Sequence, residues 1–224
     1  MSSNLLDEAV ISVQSTVDDD IIPIDAPELL NYISAEIDGI SVSRHPLGFI
    51  HAELSPLLDL HEGQRVRLHV WNEFIPDGDN LGLVHDHAWN LTSAVLLGEL
   101  ADVALEAIPD DAGSHQGTRV KYGPVNTFTL ARRYNIRELG RRHVKAGQVY
   151  RIPSRRIHRT EVTALPLVTL LFTQDDPPGS PGPIIFSPFP STGGGTGVRE
   201  KLSSAEATSL LKQAADSVTK SEQR

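Results

Sequence analysis

The stretch RVRLHVWNEF, residues Arg65–Phe74, most constrains the fold, because its side chains alternate between apolar and polar along nearly all its length. The apolar positions share one face of an extended chain: Val66, Leu68 and Val70. The opposite face carries Arg67, His69 and Trp71. Period-two alternation over this length predicts a β-strand with one buried face. The face of Arg67, His69 and Trp71 either meets solvent or lines a polar cavity.

Further short apolar or alternating segments are separated by clusters of Pro, Gly and Asp. They predict strands at 48–54, 83–98, 99–108, 147–153, 160–164 and 167–173, with two or three more within 118–145. Short strands with a turn signal every 8 to 12 residues or so are typical of a sandwich or a barrel. The predicted fold class is therefore mainly β.

Helical patterns flank the strands. Asp25 as N-cap and Pro27 in the first turn predict a helix at about 26–37. Ser203 or Ser204 caps another helix at about 204–217, and residues 1–17 could form a short amphipathic one. The expected division is an N-terminal helical segment (1–41), a β domain (42–190), and a glycine-rich linker with a C-terminal helix (191–224).

Composition excludes several classes of function. A net charge of −9 argues against nucleic acid or an anionic membrane as a general partner. The chain has no cysteine, which removes disulfides, thiolate metal sites and cysteine nucleophiles. It shows neither a signal-peptide pattern nor an apolar run that could span a membrane. We therefore expect a cytoplasmic protein whose partner is a small molecule; a homodimer remains an open alternative.

Three histidines stand out as candidate metal ligands. His85 and His87 flank Asp86 in HDH, and on an extended strand they would project to the same side. His158 lies far downstream, in GQVYRIPSRRIH. Three neutral imidazoles suit iron, zinc, copper or nickel. The other histidines are predicted to be surface or packing residues, with His51 and His69 kept as candidate bases.

The spacing around these histidines resembles the two motifs of the cupin superfamily. The first motif, G(X)5HXH(X)3–4E(X)6G, is matched by His85, His87 and the closing Gly98, with Leu91 at the glutamate position. The second, G(X)5PXG(X)2H(X)3N, is matched by its first glycine, its proline and its histidine: Gly147, Pro153 and His158. Arg155 and Val162 stand where the family has glycine and asparagine.

This resemblance implies a jelly-roll barrel (a double-stranded β-helix) with N-terminal helices and a C-terminal helix. It implies a divalent metal on His85, His87 and His158, with Fe(II) favoured and Zn, Ni, Cu or Mn as alternatives. The three-histidine set resembles cysteine dioxygenase-like proteins and cupin-like proteins of the HDHPW type. The Ser-His-Tyr set of the thiol dioxygenases has no counterpart in Leu167–Thr173, so a thiol substrate is not implied.

The residues beside the triad suggest how a substrate would be held. Arg67 could pair with a substrate carboxylate, and His69 could join it as a catalytic residue. Trp71 and Trp89, the only tryptophans, either wall the substrate pocket or belong to the core. The favoured function is an O2-dependent oxygenase, a metal-dependent oxidoreductase acting on a small, carboxylate-bearing molecule. A metal-dependent lyase or isomerase and a non-catalytic small-molecule-binding cupin are the alternatives.

Overall fold

Helices occupy both ends of the chain. The computed structural model describes residues 3–17, 20–45, 48–72, 84–122, 126–189 and 199–221. Its α-helices are α1 (Ser3–Ser15), α2 (Ala26–Ala35) and α3 (Ser204–Ser221), and two 3-10 turns lie at Ile37–Gly39 and Ser55–Leu57. The Asp25 side chain accepts a hydrogen bond from the Glu28 N–H, which confirms the predicted N-cap of α2. No helix in the described ranges is long and apolar enough to cross a bilayer.

Most of the remaining described chain forms antiparallel β-structure, which confirms the predicted fold class. The strands are β1 (Ser41–Arg44), β2 (Ile50–Glu53), β3 (Gln64–Trp71), β4 (Val84–His85), β5 (Trp89–Pro109), β6 (His115–Lys121), β7 (Thr127–Lys145), β8 (Val149–Ile152), β9 (His158–Asp175), β10 (Ile184–Pro188) and β11 (Glu200–Lys201).

The strand pairings close on themselves. From β9 they run through β4, β10, β6, β7 and β5, and β5 pairs again with β9. The C-terminal half of β9 pairs with β3, and the sheet continues from β3 through β2 and β1 to β11. Closure produces a jelly-roll barrel with an interior face and an exterior face.

Alternation along β3 divides its side chains between the helices and the barrel interior. Val66, Leu68 and Val70 are at most 1% exposed and pack in the same apolar cluster as Leu29 and Leu211 of the helices. The opposite face of β3 belongs to the barrel interior. A second apolar cluster fills part of this interior with side chains from β5, β7, β8 and β9: Leu91, Val95, Leu100, Val144, Tyr150, Ile152, Leu167 and Leu171. The helices therefore seal one side of the sheet and leave the interior for the site.

Several predicted strand limits are wrong, and the barrel corner explains the largest error. Gly98 does not end a strand, because β5 continues through it to Pro109 with register shifts on either side. At φ +78° a Cβ on Gly98 would lie 2.4 Å from the Pro166 carbonyl oxygen and 2.7 Å from that of Ala164. A bulge at this glycine bends β5 instead of terminating it. Likewise β9 is one strand rather than two.

The segment 118–145 contributes to two strands, β6 and β7, and the short strands β1, β10 and β11 were not predicted. The predicted linker at 191–197 lies outside the described residues. Because β11 pairs with β1, the chain beyond residue 190 contributes a strand to the sheet. The domain limits at 41 and 190 stay a prediction.

Candidate metal centre

The three predicted ligands meet inside the barrel. His85 ends β4 and lies directly opposite His158, the first residue of β9, in the antiparallel register. His87 follows in the turn between β4 and β5. The Nε2 atoms of His85 and His87 are 3.0 Å apart, and the nearest ligand atoms of all three side chains lie within 4.8 Å of one another.

The prediction that His85 and His87 lie on one strand is wrong, since β4 ends at His85 and β5 begins at Trp89. The intervening turn is held by Asp86. Its backbone N–H donates to the Ile184 carbonyl at 3.0 Å, and its carboxylate accepts the Ile184 N–H at 2.6 Å. The side chain of Asp86 therefore fixes the turn to β10, and the two histidines converge through that turn rather than through strand alternation.

The protonation states of His87 and His158 suit a cation. Burial is the main cause that lowers the pKa of His87 and of His158 well below the usual histidine range, so both rings are neutral at pH 7. His158 Nδ1 lies 3.3 Å from the Arg156 carbonyl oxygen, to which it donates, and this leaves Nε2 with a free lone pair. Two ring nitrogens that each bind one metal at about 2.1 Å can be no more than about 4.2 Å apart. The His85–His87 pair satisfies this, and the triad as a whole, whose ligand atoms lie within 4.8 Å of one another, would close by a few tenths of an ångström around an ion. The donor set therefore fits a divalent transition metal.

The predicted substrate residues line the same interior. The Trp89 ring stacks on His87 with centroids 4.9 Å apart, and the Arg67 guanidinium lies 5.3 Å from the Trp89 centroid. Arg67 and His69 each face the triad closely enough to lower the pKa of His87. Trp71 contacts the His69 ring edge-on at 5.8 Å. The structure thus brings Arg67, His69, Trp71 and Trp89 together around the triad, while their catalytic and substrate-binding roles stay predictions.

Arg67 is not a free cation. Its Nε lies 3.4 Å from Glu53 Oε2, and the other oxygen of Glu53 accepts a hydrogen bond from the Ser55 hydroxyl. A ligand carboxylate at Arg67 would therefore share the guanidinium with Glu53. Sequence reasoning missed Glu53 because the cross-strand register, in which Glu53 faces Arg67, is not visible in either strand alone.

A second group of histidines, His45, His51 and His69, extends the polar interior. His51 opposes His69 across β2 and β3 with ring centroids 5.4 Å apart, and His45 stacks on Phe49 at 4.2 Å. Burial lowers the pKa of His45 to about 2 and that of His51 to about 3. The prediction of a surface or packing role misses that His45 and His51 share this cluster with His69. The alternation of GFIHAEL was the available signal for His51.

The cations next to His158 are neutralised by carboxylates. Arg156 Nη2 lies 2.9 Å from Asp102 Oδ2, and Arg142 Nη2 lies 3.3 Å from the same oxygen. Asp102 has a fully buried side chain. Since the Arg156 carbonyl accepts the hydrogen bond of His158, this buried ion pair anchors the segment that orients the third ligand.

The closed barrel and the histidine cluster define a class of protein, the jelly-roll barrels with a three-histidine group that could hold a metal. The barrel and the three-histidine cluster that the sequence resemblance implied are therefore both present.

No family model matches the sequence, and no curated protein is similar to it. Among solved structures, DMSP lyases match at 16% identity and TM-score 0.33, covering 60% of this chain and 51% of theirs. Hydroquinone 1,2-dioxygenase in complex with Cd2+ and 4-hydroxybenzonitrile matches at 19% identity and TM-score 0.33, covering 53% of this chain and 62% of the dioxygenase chain. An oxalate oxidase matches at 16% identity and TM-score 0.35, covering 75% of this chain and 72% of the oxidase chain. The chain spans less than two thirds of the first two, and likenesses this weak carry no argument about activity.

Proposed function

We propose that the chain is a mononuclear non-haem metalloenzyme in which His85, His87 and His158 hold a divalent metal, with Fe(II) as the first candidate. The observation that carries this proposal is the convergence of the three buried or half-buried imidazoles, whose ligand atoms lie within 4.8 Å of one another. The proposed reaction is the O2-dependent oxidation of a small polar molecule that bears a carboxylate.

The position of Leu91 supports a three-ligand site. It is the residue that replaces the glutamate of the cupin motif, it is 5% exposed, and it packs in the interior apolar cluster. A metal held by three protein ligands keeps open positions for water, substrate or O2 and acts there as a Lewis acid or redox centre.

Arg67 and His69 have distinct roles in this proposal. Arg67 orients the substrate carboxylate, while its bond to Glu53 holds the guanidinium beside Trp89. His69 is neutral because burial lowers its pKa well below the usual value, so its free ring nitrogen can accept a hydrogen bond from the substrate. Trp89 and Trp71 provide flat apolar walls.

Metal analysis tests the ligand set. After anaerobic loading with Fe(II) and removal of unbound ion, wild type should retain about one metal per chain, and His87→Ala should retain almost none. The control is His61→Ala, because His61 is an exposed histidine away from the triad. Equal metal in wild type and His87→Ala, or none in either, would refute the ligand assignment.

Oxygen consumption tests the reaction class. A panel of small carboxylates is added to the Fe(II)-loaded protein in an oxygen electrode, with His87→Ala as the blank. Consumption in wild type alone supports an oxygenase. Turnover that proceeds equally well without O2 would assign the protein to the metal-dependent lyases or isomerases instead.

A further inference from the structure

A second polar site lies at the end of the sheet where β11 joins β1. It is a cavity of about 290 Å3 lined by Ser41, Ser43, His51, Glu53, Arg199 and Lys201. None of these residues is a predicted metal ligand. The cavity is large enough for a small anionic group with part of the molecule that carries it.

The strand register builds the cavity from one face of the sheet. Ser43 opposes Lys201 on one side and His51 on the other, and His51 opposes His69. Directly opposed residues in antiparallel strands project to the same face. Lys201, Ser43, His51 and His69 therefore form a continuous row that leads from β11 to the wall of the metal centre.

The charge of this cavity is not balanced. Glu53 is its one lining carboxylate, and both of its oxygens are engaged, by Arg67 and by the Ser55 hydroxyl. Glu200 has its carboxylate on Arg44, at 3.4 Å. Within the part of the chain that the structure describes, neither Arg199 nor Lys201 has a carboxylate at ion-pair distance. Among the described residues, Arg67, Arg199 and Lys201 thus share one carboxylate, in a protein of net charge −9.

Arg199 lines the cavity and is close enough to Arg67 for the two like charges to interact. Burial, and then the nearby charge of Arg67, lower the pKa of Arg199. Burial, followed by the charges of Arg199 and Arg67, lowers the pKa of His51, which is 7% exposed. A bound anion would relieve this repulsion, and Arg199 could bind a carboxylate or phosphate oxygen pair with its planar fork.

We propose that this cavity is an anion subsite, in which Arg199 and Lys201 bind a carboxylate or phosphate group with help from the Ser43 hydroxyl. Because the row from Lys201 through Ser43 and His51 ends at His69, a ligand that reached from this cavity to the triad would be elongated. Anion binding stands on the cavity itself. The assignment of the anion to the substrate rests on the proposed metalloenzyme function.

Calorimetric titration of metal-free protein with inorganic phosphate, and separately with succinate, tests the subsite at constant ionic strength. Wild type should bind at least one of the two saturably, and the tighter one identifies the group. Arg199→Gln should weaken that binding at least about tenfold, the loss expected for one charge-assisted contact. Lys201→Gln should also lower the affinity for that anion. Binding of neither probe by wild type, or unchanged affinity in Arg199→Gln, would overturn the proposal.

Arg44→Gln is the matched control, because Arg44 is the next residue to Ser43 on β1 and pairs with Glu200 instead of lining the cavity. An equal loss of affinity in Arg44→Gln would attribute binding to general electrostatics and refute a built site. The metal content of Arg199→Gln should equal that of wild type, and His87→Ala should still bind the anion. Failure of metal binding would therefore not refute the anion subsite, and failure of anion binding would not refute the metal site.

Discussion

Asp102 is the buried charge on which the stability of the triad region should depend most. Its side chain is fully buried, and one oxygen pairs with both Arg142 and Arg156, whose side chains are 25% and 30% exposed. Breaking a buried ion pair typically costs about 3–5 kcal/mol. The two arginines can regain some hydration, so Asp102→Asn should cost about 3 kcal/mol. For a chain of this size that corresponds to a fall in Tm of roughly 6–12 °C.

Thermal unfolding of the metal-free protein, followed by circular dichroism, measures this effect without a contribution from bound ion. The control is Glu106→Gln, which removes an ion pair whose members, Arg137 and Glu106, are 65% and 42% exposed. Exposed pairs contribute about 0–1 kcal/mol. A Tm for Asp102→Asn within about 2 °C of the control would show that the two guanidiniums do not need the buried carboxylate, and the reasoning would be wrong.

Three further predictions concern the corner, the second histidine group and the metal. Gly98→Ala should destabilise the protein by more than about 2 kcal/mol in denaturant unfolding, because its Cβ would lie 2.4 Å from the Pro166 carbonyl oxygen, whereas Gly140→Ala, with open space around it, should be near neutral. Burial lowers the pKa of His51 to about 3, so this side chain stays neutral in the folded protein but is protonated below about pH 6.5 in the unfolded chain. The free energy of unfolding should therefore decrease as the pH is lowered from about 6.5 to 3. In His51→Gln the decrease should be smaller by up to about 1.4 kcal/mol per pH unit, and an unchanged pH dependence would contradict the prediction. Metal at a hundred times its Kd should add about 2.7 kcal/mol of stability to wild type and none to His87→Ala, measured as the shift in Tm.

The part of the site that sequence reasoning found is the part with a local signature. Alternation along β3 separated Val66 and Leu68 from Arg67 and His69, and the structure places these pairs on opposite faces. The triad was visible because two of its members are neighbours in sequence and the third keeps a motif spacing. Local period and spacing are the information that a single sequence carries well.

The part that was missed depends on pairing between distant segments. Arg199 precedes a two-residue strand, which is too short to have a period, and it reaches the cavity only because Lys201 pairs with Ser43. His45 and Glu53 likewise acquire their neighbours from the fold. The break after His85 was missed because Asp86 is held by Ile184, a residue far along the chain. Long-range register of this kind cannot be read from local propensity.

The pairing of β3 with β9 has a consequence for how the chain reaches its native state. Val66 meets Phe172, and His85 meets His158, so the barrel is built from contacts between segments far apart in the chain. Folds dominated by such contacts form slowly, in milliseconds to seconds, because loop closure must precede any stabilising contact. His85 and His158 lie 73 positions apart in sequence and come together only when β4 pairs with β9. If the proposed metal binds only after this pairing has formed, its stabilising effect should appear as slower unfolding rather than faster folding.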